Sequence, residues 1–206
     1  MYRTTLVAAA FAALFSCPAL LAQRNQISLS GTYGLLINDD RPDVRFDAIG
    51  VALGYEGKIT KHFTLGGDLD WQFIEPELTF VAPYFPLTAA PAPYSIERRQ
   101  INARPTLRYY FKRAFQGLYL GAFGTYTYTT VTTSGYPKDD ERYTQIYVDP
   151  SDNLGVGGGL TYGFRLKLTK HLRASAHGSH QFFKYQESPK PKQQNHQWGL
   201  GLSWVF

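Results

Sequence analysis

Hydrophobic and polar residues alternate along most of this chain with a period of two. In residues 63–73, Phe63, Leu65, Gly67, Leu69, Trp71 and Phe73 share one side, while Thr64, Gly66, Asp68, Asp70 and Gln72 share the other. Successive side chains of an extended strand point to opposite faces, so this segment predicts a strand with one greasy and one polar face. The same alternation runs through 27–37, 100–111, 154–167 and 197–206. Weaker versions occupy 44–56, 117–129 and 172–183, and the faces of the Tyr- and Thr-rich 117–129 stay open. The sum is eight strands of roughly ten to thirteen residues, the length a tilted strand needs to cross a bilayer.

The connections alternate as well. Those at 56–62, 112–116 and 168–171 are short, whereas 74–97 and 130–152 are long, 185–195 is intermediate and 38–43 is brief. Short turns at one end and long loops at the other are the layout of an outer-membrane barrel, with the long loops outside the cell. One apolar face per strand also fits the inverse arrangement, a soluble lipocalin-like barrel with its grease inside. Three features favour the membrane form. The polar face is rich in Gly, Ala, Ser and Thr, which suits a narrow lumen. The apolar face carries aromatics near strand ends (Phe63, Trp71, Phe73, Tyr109, Phe111, Trp198), and the last strand closes on Trp204 and Phe206. Interfacial girdles of a membrane barrel need such residues. The expected fold class is all-β: an eight-stranded antiparallel up-and-down transmembrane β-barrel in a bacterial outer membrane.

Composition alone points the other way until the period is taken into account. The chain has 206 residues, 44% hydrophobic and 18% charged. Its mean hydropathy of −0.28 suggests a soluble protein. No run after the N-terminus reaches the ~18 apolar residues of a spanning helix. The net charge of +5 is spread along the chain and argues for no nucleic-acid partner. A single cysteine excludes a disulfide scaffold and a Cys-based zinc site. Residues 1–22, with Arg3, an apolar run from Leu6 and small residues at Ala19-Leu20-Leu21-Ala22, read as a secretory signal peptide. Cleavage after Ala22 removes Cys17 and leaves the barrel as residues 23–206.

The polar face supplies the candidate chemistry. Asp68 and Asp70 face inward beside Arg104 and Arg108 of the next strand, and Arg165, Lys167 and Arg173 add positive charge. Buried charges are costly unless paired, so Asp68 and Asp70 are expected to meet Arg104 and Arg108 and fill the lumen. A narrow wet pore lined by the same residues is the alternative. His177 and Ser179 share a face of the penultimate strand, with Glu187 downstream, a set that acyl transfer could use. No metal site and no cofactor are expected: His177 and His180 have odd spacing, and the Gly155–Gly159 run lacks the Lys-Ser/Thr and helix of a phosphate loop. Glycine there is expected to make room for lumen side chains that lean across.

Two stretches carry a family resemblance. R-P-T-L-R-Y-Y-F-K-R-A-F-Q-G-L-Y-L-G-A-F-G (104–124) and N-L-G-V-G-G-G-L-T-Y-G-F-R-L-K-L-T-K-H-L-R-A-S-A (153–176) resemble small barrels of the domain of unknown function 3575 family. That resemblance implies fold and location, without assigned chemistry. The terminal W-G-L-G-L-S-W-V-F resembles the last strand that outer-membrane barrels present to their insertion machinery, with Trp204 and Phe206 as the signal. The H-x-S pair with Glu187 resembles outer-membrane lipid A deacylases, although His180 stands where that family has Asn and the alternation turns the pair into the lumen. The expected partners are therefore outer-membrane lipid, the insertion machinery and another envelope protein met through the Pro- and Tyr-rich loops 74–97 and 130–152. Pro105, in the middle of a strand, predicts a bulge or a missing rung.

Overall fold

The computed structural model describes residues 24–38, 41–81, 92–134, 152–185 and 193–206. They form eight strands: β1 (Asn25–Asn38), β2 (Arg41–Lys58), β3 (Phe63–Val81), β4 (Ala92–Tyr110), β5 (Gly117–Ser134), β6 (Asp152–Lys167), β7 (Leu172–Tyr185) and β8 (Gln193–Val205). Each pairs antiparallel with the next, and β8 closes on β1 with Ile27 opposite Trp204. Closure leaves no open sheet edge, so backbone groups pair from strand to strand around the wall, as hydrocarbon demands.

The strands are longer than the ten to thirteen residues expected, from 13 in β8 to 19 in β3 and β4. Much of the segment 74–97, expected as loop, is strand: Thr79 pairs with Tyr94 and Phe80 with Pro93. β-Branched and aromatic residues sustain the pairing, and Pro76 is tolerated at a register shift between Ile74 and Glu77. Residues 130–134 likewise extend β5 against Ser95–Arg99. Pro105 keeps its place opposite Gly67 on β3, but the β4–β5 pairing skips Arg104 and Pro105 and resumes in the same register at Thr106–Phe123. The ring removes a donor, and a missing rung results.

The greasy stripe lies outside. Leu200 is 73% exposed, Ile49 68% and Leu160 64%, whereas Asp70, Asn102, Thr64 and Thr127 have no exposure at all. Burying a Leu or Phe in hydrocarbon is worth about 1.5–3 kcal/mol, so a continuous outer belt of such residues requires lipid around it. The soluble lipocalin-like arrangement is thereby excluded. In β5, left open by the sequence, Leu118, Leu120 and Tyr126 face out, while Tyr119, Phe123, Thr125, Thr127 and Thr129 face in.

Two short turns use one device. In I-T-K-H-F (59–63) and L-T-K-H-L (168–172) the threonine Oγ1 accepts from the N–H groups two and three residues on. This side-chain turn satisfies backbone donors that the hairpin would leave free. The histidine then bridges to the neighbouring hairpin. His62 Nδ1 lies 2.8 Å from Tyr110 O, and His171 Nδ1 2.9 Å from Val205 O. Each ring stacks on a girdle aromatic, Tyr109 at 5.7 Å and Trp204 at 5.2 Å between centroids. The apical lysines, Lys61 and Lys170, are left exposed.

Candidate functional site: the charged lumen

The lumen is filled in layers. Nearest the short turns, Glu56 is 2% exposed and gathers ligands from three other strands. It accepts from Arg108 Nη1 at 2.8 Å, Arg165 Nη1 at 2.7 Å and Tyr110 Oη at 2.8 Å, and from the Thr64 hydroxyl. Arg108 Nη2 donates to Asp68 at 2.5 Å. Aromatics sheathe the guanidinium groups: Arg165 lies over Tyr119 at 5.3 Å and Arg104 over Phe123 at 5.5 Å. Phe115, in the left-handed region at φ 64°, turns its ring under Tyr110 and closes this layer from below. A bulky residue in that region costs strain, and burial of the ring beneath Tyr110 offsets it.

The next layer centres on Asp70. It accepts from Gln197 Nε2 at 3.1 Å, Asn102 Nδ2 at 3.2 Å and Thr32 Oγ1 at 3.3 Å. Arg104 stands 3.7 Å away, and its shorter bond, 2.6 Å, goes to Gln197 Oε1. Above it lie amides, with Asn195 donating to Gln72 and Gln181 to Thr127. An apolar cluster of Leu36, Ala48 and Ile74, with Phe46 packed against it, lies beyond them. Three carboxylates thus face three guanidinium groups inside the barrel.

The structure brings Asp68 to Arg108 and Asp70 to Arg104, and adds Arg165 through Glu56. Arg173 joins none of these pairs: its Nη1 donates to the carbonyls of Thr169 and Leu172. Glu56, which the sequence placed where strand 44–56 meets the turn 56–62, is a lumen residue of β2, and the strand runs on to Lys58. Its signal was present, since it continues the inward phase of Ala48, Ala52 and Gly54. Gly159 of the 155–159 run makes room as expected, and Gly163, outside that run, does the same. A Cβ on Gly159 would lie 2.7 Å from the Phe123 ring, and one on Gly163 2.7 Å from Tyr119 Oη.

His177 and Ser179 both line the central lumen, in a cavity of about 30 Å³ shared with Asp68, Arg104 and Arg108. The Ser179 hydroxyl donates to Gln197 Oε1 at 3.4 Å. Glu187 and residues 1–22, expected as a signal peptide, lie outside the described residues. Among the described residues, no cluster of three or more metal-ligating side chains occurs. Trp204 lies on the outer wall, 53% exposed, and Phe206 follows at 54%.

A closed eight-stranded barrel with an apolar wall and a polar, ion-paired interior is an outer-membrane barrel. The family model described as outer membrane protein beta-barrel domain matches residues 7–206, and the chain belongs to that family. The attachment invasion locus protein Ail of Yersinia pestis has a similar structure, with a TM-score of 0.55 at 12% identity over 89% of this chain and 99% of that one. Neisserial surface protein A is also similar, with a TM-score of 0.51 at 11% identity over 88% and 97%. At these identities the likeness is one of fold. The comparison with curated proteins gave no match. The protein is located in the bacterial outer membrane.

Proposed function

We propose that this barrel is a non-catalytic, non-conducting outer-membrane protein whose role is structural and interactive, exercised through its wall and its long extracellular connections. The observation that carries the reading is the neutralised lumen, where Glu56, Asp68 and Asp70 offset Arg108, Arg165 and Arg104. Its central cavity of about 30 Å³ is a few waters in size. Enclosure of His177 and Ser179 among these groups supports the non-enzymatic side, because a lipid acyl chain runs along the outer wall. The reading keeps residues 1–22 as a removed signal peptide, Trp204 and Phe206 as the insertion signal, and outer-membrane lipid, the insertion machinery and an envelope protein as partners. The resemblance of 104–124 and 153–176 to the domain of unknown function 3575 family is its proposed branch.

Planar-bilayer recording tests the lumen: the expected result is no steady conductance from the pure protein, and stable unitary currents would overturn it. Deleting 82–91, the link between β3 and β4, tests the division of labour. The expected variant still shifts its gel mobility on heating, as a folded barrel does. Loss of that shift would mean the segment belongs to the wall.

A further inference from the structure

We infer that the short-turn mouth of the barrel binds a phosphate-bearing anion. The charge map is the first observation. Arg24 and the segments 57–63, 111–118 and 166–174 together hold eight lysines and arginines and no Asp or Glu. The acidic residue next to these segments in sequence, Glu56, is buried in the lumen and already paired with Arg108 and Arg165. The fold gathers part of this charge around a cavity of about 260 Å³ lined by Arg24, Arg113, Lys167, Lys170, His171 and Arg173. No Asp or Glu lines it; the terminal carboxylate of Phe206 at its border, one negative charge against five lysines and arginines, accepts from the Asn25 N–H at 2.9 Å.

The second observation is Arg173. It is 7% exposed, and Lys167 stands directly opposite it across the β6–β7 pair. Like charges in that relation repel. Arg104, Arg108 and Arg165 each meet a carboxylate; Arg173 meets only main-chain carbonyls. A buried, uncompensated guanidinium fixed by its turn is expensive by itself. An anion supplies the missing charge, and a guanidinium with flanking lysines matches phosphate oxygens. The rim lies at the level of the His171–Trp204 stack, where the headgroups of the inner leaflet sit. Both a phospholipid headgroup and a free phosphate therefore present the required chemistry.

The experiment takes the full-length barrel, purified from outer membranes, in two arms. In zwitterionic detergent it is titrated with inorganic phosphate by calorimetry. In nanodiscs of phosphatidylcholine, with or without phosphatidylglycerol, retained lipid is read by native mass spectrometry. The expected result is binding in at least one arm that weakens about tenfold or more in K167Q/K170Q. Retained phosphatidylglycerol alone assigns the lipid source, phosphate alone the soluble one, and both a shared site. Lys167 and Lys170 are exposed, so the variant keeps its heat-shifted mobility. No binding in either arm, or binding that K167Q/K170Q leaves unchanged, overturns the inference.

Discussion

Arg165 and Arg173 project into one lumen from paired strands, yet their surroundings differ completely. Arg165 donates to Glu56 and Tyr110 inside a sheath of aromatic rings. Arg173 faces Lys167 and satisfies its Nη1 on turn carbonyls. The first arginine belongs to a closed, neutral network that holds β2, β4 and β6 together across the barrel. The second sits at an open rim where the charge has no internal answer. The contrast teaches that inward phase alone says nothing about role: a lumen cation is a rivet where a carboxylate reaches it and a ligand group where none does.

Removing the shared carboxylate breaks the contrast most severely. Glu56→Gln leaves Arg108 without one acid and Arg165 without any. The expected loss is about 3–5 kcal/mol, the usual effect of stripping one partner from a buried ion pair. It is measurable by urea unfolding in lipid vesicles with Trp71, Trp198 and Trp204 as fluorescence reporters. A loss under about 1 kcal/mol, typical of exposed pairs, would mean the network does not join the strands. Asp70→Asn sharpens the picture one layer up. Asp70 accepts mostly from neutral donors and its arginine stands farther off, so about 1–3 kcal/mol is expected. The smallest effect belongs to Arg173→Gln. Lost bonds to the turn are offset by relief from Lys167, and a change under about 1 kcal/mol is expected in phosphate-free detergent. A loss as large as that of Glu56→Gln would erase the distinction between the two arginines.

Much of this was legible in the chain. The period-two pattern yields the strands and their number, because one wall face must satisfy lipid and the other the lumen. It also separates Asp68, Asp70, Arg104 and Arg108 onto one face of adjacent strands, where the structure pairs them. The shortness of the turns at 56–62 and 168–171 was legible, although the shared T-K-H device and its use of His62 and His171 as bridges to neighbouring hairpins was not. Glu56 was not singled out because it stands where strand 44–56 meets the turn 56–62; only the pairing of Glu56 with Gly66 shows the strand continuing past it. The prolines and aromatics of 74–97 read as loop, since propensity cannot anticipate that Thr79 and Phe80 find partners in Tyr94 and Pro93.

Local order along the chain therefore determined the class, the facing of seven strands and the supply of charge, because alternation is a property of neighbours in sequence. Which acid meets which base was decided only by closure of the barrel. Arg165 and Glu56 are 109 residues apart, and no periodicity relates them. Tilt and register around the closed wall set their depth, and depth is what separates a neutralised arginine from one left facing the rim.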